Sequence, residues 1–166
     1  CPSSGMAEKN LWSIIDDLMP YDEVKFVIGD REDFDWAGKM LDKILYAIGR
    51  KRGDGVYIAN VIKCRPPNNR DPLPSEVKKC EPYLIEQISQ IQPKLIVALG
   101  RVAGKTLLKQ DVPLKVMREK IHYYEKTPLI VTYHPAALLR NGSFKKPTWK
   151  DFQWIESILL GNIKIG

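Results

Sequence analysis

The chain has 166 residues, 44% hydrophobic and 28% charged, a length that suits one compact domain and a balance that excludes a disordered or fibrous protein. Lys and Arg number 26 against 20 Asp and Glu, for a formal charge of +6; this allows a polyanionic partner such as nucleic acid and equally serves solubility, so charge alone assigns nothing. Three cysteines, an odd number with no secretory signal, argue against a disulfide framework and for a reducing compartment, the cytoplasm by default, and no apolar run approaches the roughly 18 residues of a membrane span.

Residues 1 to 23 carry only a faint helical spacing, at Leu11, Ile14, Ile15 and Leu18. Val24 to Ile28 (VKFVI) is a short apolar run closed by Gly29, the pattern of a buried strand and a tight turn. Ala37 to Ile48 places Met40, Leu41, Ile44, Leu45 and Ile48 on one helical face, with Gly49 as a stop. Val56 to Ile62 (VYIANVI) is rich in β-branched residues and runs into the Pro66-Pro67 and Asn68-Asn69 loop. A helix follows, with Ser75 as its expected N-cap and Glu76 in its first turn, and continues to Ile91 before Pro93.

Leu95 to Leu99 (LIVAL) is apolar throughout, as a strand must be when helices cover both of its faces. Gly100 opens a helix from Arg101 to Leu108, Leu129 to Tyr133 (LIVTY) repeats the strand signal, and Trp149 to Leu160 has the spacing of a further helix. Four strands alternating with helices predict an α/β fold in a single domain: a three-layer α/β/α sandwich around a central four-stranded parallel sheet.

Ligands of such sheets bind beyond the carboxyl ends of the strands. Of the four segments there, the distinctive ones are Lys63 to Arg70 (KCRPPNNR) after the second strand and His134 to Asn141 (HPAALLRN) after the fourth. The run VYIANVIKCRPPNNRDP, the LIVALG turn and the HPAALLRN loop stand in the order found in the iron-sulfur uracil-DNA glycosylases, family four, which the chain resembles from about Ala37 to Ile158. The resemblance implies a monomeric DNA-repair enzyme that acts on uracil-containing DNA. It would hydrolyse the N-glycosidic bond of deoxyuridine to release uracil and leave an abasic site.

The residues suit the tasks this implies. A glycosylase flips its base out of the stack, holds the Watson-Crick edge, and stabilises charge on the leaving base. His134 could donate to a uracil carbonyl oxygen; Leu138, Leu139 and Arg140 would fill the gap left by the flipped base and grip phosphate. Asn60, which both donates and accepts, falls on the family's base-reading amide. Taken singly, Asn60 and His134 could equally be structural; together at two strand ends they point to a site. The resemblance also implies a 4Fe-4S cluster, with Cys64 and Cys80 as ligands and Cys1 as one of an N-terminal pair, although buried free thiols are the alternative. Arg65, Arg70, Arg101, Lys145, Lys146 and Lys150 are possible phosphate contacts, while Trp149 and Trp154 suit packing.

The departure lies after the first strand. The family carries a GEAPG-type loop there with a water-positioning acid and a stacking Phe, yet only Asp30 to Trp36 separate Gly29 from the AGKMLDKIL helix. Two readings stay open: the loop is lost, or residues are absent at this junction. Taken literally, Asp30 stands where the acid does and Phe34 replaces the ring, unless 30 to 33 form a solvated turn. A non-catalytic DNA-binding module of the same fold is the alternative function. A flavodoxin-like nucleotide binder is weaker, because neither GxGxxG nor GxxxxGK(S/T) is present.

Overall fold

The computed structural model describes residues 24–28, 34–64, 66–67 and 70–163, with side chains from residue 37 onward. β1 (Val24–Ile28) leads to α1 (Phe34–Ala47), β2 (Val56–Asn60), α2 (Pro74–Ile91), β3 (Leu95–Leu99) and α3 (Gly100–Leu108). Then come α4 (Leu114–Met117), β4 (His122–Tyr124), β5 (Thr127–Thr132), α5 (Pro135–Arg140), a 3-10 turn (Gly142–Phe144) and α6 (Lys145–Leu159). Among these described residues no helix is long and apolar enough to cross a membrane.

The strands lie in the order β2-β1-β3-β5-β4. β1 pairs in parallel with both β2 and β3, and β3 with β5, while β4 runs antiparallel to β5. The expected sheet of four parallel strands is therefore corrected to a mixed sheet of five. β4 escaped sequence reading because three residues, HYY, cannot show an alternation; the hairpin turns at Glu125, which takes a φ of 53°.

Alternation along each strand builds a core on each face. Tyr57, Ala59, Ile96, Ala98, Leu129 and Val131 pack with Leu84 and Ile88 of α2, Ala103 and Leu107 of α3, and Met117 of α4. Val56, Leu95, Val97, Leu99 and Ile130 pack with Leu41 and Leu45 of α1 and Phe152 and Ile155 of α6. β3 is buried along its whole length, which explains its unbroken LIVAL run.

Several boundaries differ from expectation: α1 begins at Phe34 and not Ala37, β2 ends at Asn60 and not Ile62, and α6 begins at Lys145 and not Trp149. α2 begins at Pro74, not after a Ser75 cap: Pro at the first helical position needs no N–H partner, and Glu76 Oε2 accepts from Leu73 N–H at 2.8 Å. The segment after His134, expected as a projecting loop, coils into α5.

Candidate functional site

The sheet register aligns Asn60, Ile28, Leu99 and Thr132 in one row at the carboxyl ends of the parallel strands. The chain turns one way from β1 to β2 and the other way to β3, so the topological switch point lies between β1 and β3. Asn60 on β2 and the residues following Thr132 on β5 flank it from opposite sides. Three strand spacings separate them, about 14 Å at the backbone.

Asn60 is exposed. Among the described residues its carboxamide makes no hydrogen bond. Its backbone is held: Lys63 Nζ donates to Asn60 O at 3.2 Å and to Gln87 Oε1 at 2.8 Å, and Gln87 Nε2 donates to Tyr57 Oη at 3.1 Å. Burial pushes the Lys63 ammonium down, against the opposing pull of Cys80, and pushes the Tyr57 phenol up. Sequence reasoning missed this buttress, whose residues lie 24 and 30 positions apart.

His134 is the N-cap of α5, where its Nδ1 accepts from Ala136 N–H at 3.1 Å. A nitrogen that accepts an N–H carries no proton, so the neutral ring holds its proton on Nε2, a buried atom able to donate. The His134 backbone and Cβ back onto Gly100, which follows β3: a Cβ there would stand 3.0 Å from His134 Cβ, and the glycine has a φ of 88°. Only glycine accepts both that approach and that backbone.

The apolar wedge needs correction. Leu138 is only 4% exposed and belongs to the core, whereas Leu139 is 48% exposed and Arg140 stands beside it at the surface. Of the cations near this face, Arg101 is tied to Asp71, and Arg70 makes a bidentate pair with Glu76 at 2.7 and 2.8 Å. Lys145, Lys146 and Lys150 of α6 are exposed and make no ion pair among the described residues. Trp149 is exposed and Trp154 packs at the edge of the core.

Neither Cys64 nor Cys80 is in a disulfide; Cys80 is buried in α2 and Cys64 half-buried. The backbone N–H of Lys63 donates to Cys80 Sγ at 3.4 Å, which brings Cys80 beside the residue preceding Cys64. Two soft thiols on adjacent segments suit iron and make up half of the usual four-thiolate set. Among the described residues no group of three or more His, Cys, Asp or Glu is arranged around a metal position. Cys1, Asp30 and Arg65 lie outside the described residues; Phe34 opens α1, but its side chain is not among those described.

The family model for the uracil DNA glycosylase superfamily matches residues 5–156. The chain is similar to the Type-4 uracil-DNA glycosylase of Archaeoglobus fulgidus, 42% identical over 127 residues that cover 72% of this chain and 63% of that protein. It is similar to the Type-4 uracil-DNA glycosylase of Thermotoga maritima, 44% identical over 109 residues covering 64% of this chain and 56% of that protein. A DNA polymerase of Bacillus phage SP01 is 29% identical over 164 residues, which cover 96% of this chain and 17% of that protein. The chain thus spans about three-fifths of the length of these Type-4 relatives. With His134 and Asn60 flanking one sheet crevice and the family match extending across nearly all of the sequence, this chain belongs to the uracil-DNA glycosylase superfamily.

Proposed function

We propose that this chain hydrolyses the N-glycosidic bond of deoxyuridine in DNA. Water adds to C1′ and gives up a proton, the bond from C1′ to N1 breaks, and the electron pair leaves with uracil, spreading onto its carbonyl oxygens until the anion takes up a proton. The products are an abasic site and uracil. The observation that carries this reading is the cap geometry of His134. With Nδ1 occupied by Ala136 N–H, the ring meets the leaving base as a neutral Nε2–H donor, which stabilises negative charge on a carbonyl oxygen without reorganising. Asn60, across the crevice, would accept from uracil N3–H and donate to O4, a pattern that cytosine reverses.

Leu139 and Arg140 would occupy the gap left by the flipped nucleotide and hold its flanking phosphate, with Lys145, Lys146 and Lys150 adding phosphate contacts. Asp30 would orient the attacking water, and Phe34 would stack on the base. Arg65 would contact the DNA backbone. Cys64 and Cys80 would supply two thiolates to a 4Fe-4S cluster, with Cys1 a third. Such a cluster, when bound, would cross-link the segment between Cys64 and Cys80 against the DNA face.

The test is uracil release from a labelled oligonucleotide, single-stranded and with U opposite G. The parent chain should release uracil, and His134→Ala should lower the rate by about 10²- to 10³-fold, the usual effect of losing one oxyanion donor. A second reading, a glycosylase-like DNA-binding module without base release, draws on the short connection between Gly29 and α1 and on the near full-length similarity to part of a phage polymerase. Uracil-independent DNA binding with no release would establish it and exclude the first.

A further inference from the structure

Arg118 and Asp151 form a charge pair inside the protein, 5% and 3% exposed, and neither has a part in the chemistry above. Arg118 caps the carboxyl end of α4, and its Nε and Nη2 donate to the two Asp151 oxygens at 2.9 Å each. Nη2 also donates to Pro147 O at 3.3 Å. Asp151 accepts a third hydrogen bond from Thr132 Oγ1, on the last residue of β5.

The residue between Thr132 and His134 is gripped as well. Arg118 Cζ lies 4.5 Å from the centroid of the Tyr133 ring, and the Phe144 ring stacks on Tyr133 at 4.3 Å with planes 11° apart. Both groups pack on the Tyr133 ring and restrict it. Phe144 comes from the turn that follows α5. One guanidinium therefore ties together four segments: the end of α4, the end of β5, the turn after α5, and α6.

A buried ion pair is a poor stabiliser, because apolar residues of similar volume hold a core equally well. What a bidentate pair adds is direction, a fixed angle between the groups it joins. Here the two residues immediately before His134 are both fixed by it, one by a hydrogen bond and one by the guanidinium over its ring. We infer that Arg118 and Asp151, acting through Thr132, Tyr133 and Phe144, are positioning residues that aim the His134 imidazole. The functional consequence rests on the proposed glycosylase activity; the structural consequence does not.

The chain has two histidines, which makes nitrogen-15 NMR of labelled imidazoles a direct test. His122 is an internal control on the same segment as Arg118, with Nε2 at 2.7 Å from Met117 O. Both rings of the parent should show the Nε2–H tautomer. In Arg118→Lys, and in Phe144→Leu, which leaves the charge pair intact, His134 should pass to a mixture of tautomers while His122 is unchanged. In the same variants kcat for uracil release should fall about ten- to a hundredfold, the effect of an ångström-scale misplacement, with KM within about twofold. An unchanged His134 signal in folded Phe144→Leu overturns the inference, and so does a simultaneous change at His122 and His134. Should the parent release no uracil, the proposed activity fails while the tautomer measurement still decides the positioning.

Discussion

Asn60 carries the sharpest consequence of a single side chain, because its exposed amide has no partner among the described residues to replace. Two hydrogen bonds to a base edge, at about 1.4 kcal/mol each, amount to a factor of about 10². Asn60→Ala should therefore lower kcat/KM for uracil release by about that factor and leave the melting temperature where it was. Paired kinetic and melting measurements check this; a large loss of stability would instead make Asn60 a structural residue. His134 differs, since its ring both caps α5 and presents its donor. That double duty was not legible from the HPAALLRN run, nor was the burial of Leu138, because two adjacent leucines look alike until the helix assigns one of them to the core.

The start of α2 shows how an element can depend on pH. Hydrogen bonds from Arg70 and from Leu73 N–H lower Glu76 from an ordinary carboxylate value to about 2. A depressed carboxylate stabilises the folded state in full above its unfolded value, near 4.5, and loses that contribution as pH falls through about 2. The melting temperature of Glu76→Gln should thus fall less between pH 5 and pH 2 than that of the parent, and added salt should narrow the difference because the site is exposed. Elements with a long apolar run, such as LIVAL or the α1 face, were legible because burial on both sides, or along one stripe, writes itself into composition. α4 and β4, of four and three residues, are held by tertiary contacts alone and left no such trace. The Arg118 and Asp151 pair was equally invisible, since 33 residues separate two charges that alone suggest a solvated surface.

At the scale of the whole molecule, the strand order brings segments remote in sequence to one crevice. Alternating strands and helices predicted the carboxyl-end location of the site, but not that β1 would lie inside the sheet and β5 beyond β3. That order depends on which faces pack together. It also sets how the protein opens in time. β3 has a hydrogen-bonded neighbour on each side and is buried on both faces, so its amides can meet solvent only when the whole domain unfolds. β4 is a three-residue edge that can detach by itself. Hydrogen-deuterium exchange should find β3 amides protected to the global limit and β4 amides exchanging well before them; equal rates would mean that the sheet opens as one unit. β5, the strand that leads to His134, stands between the two, so the candidate catalytic histidine is anchored one strand away from the most durable hydrogen bonds of the molecule and one strand away from its fraying rim.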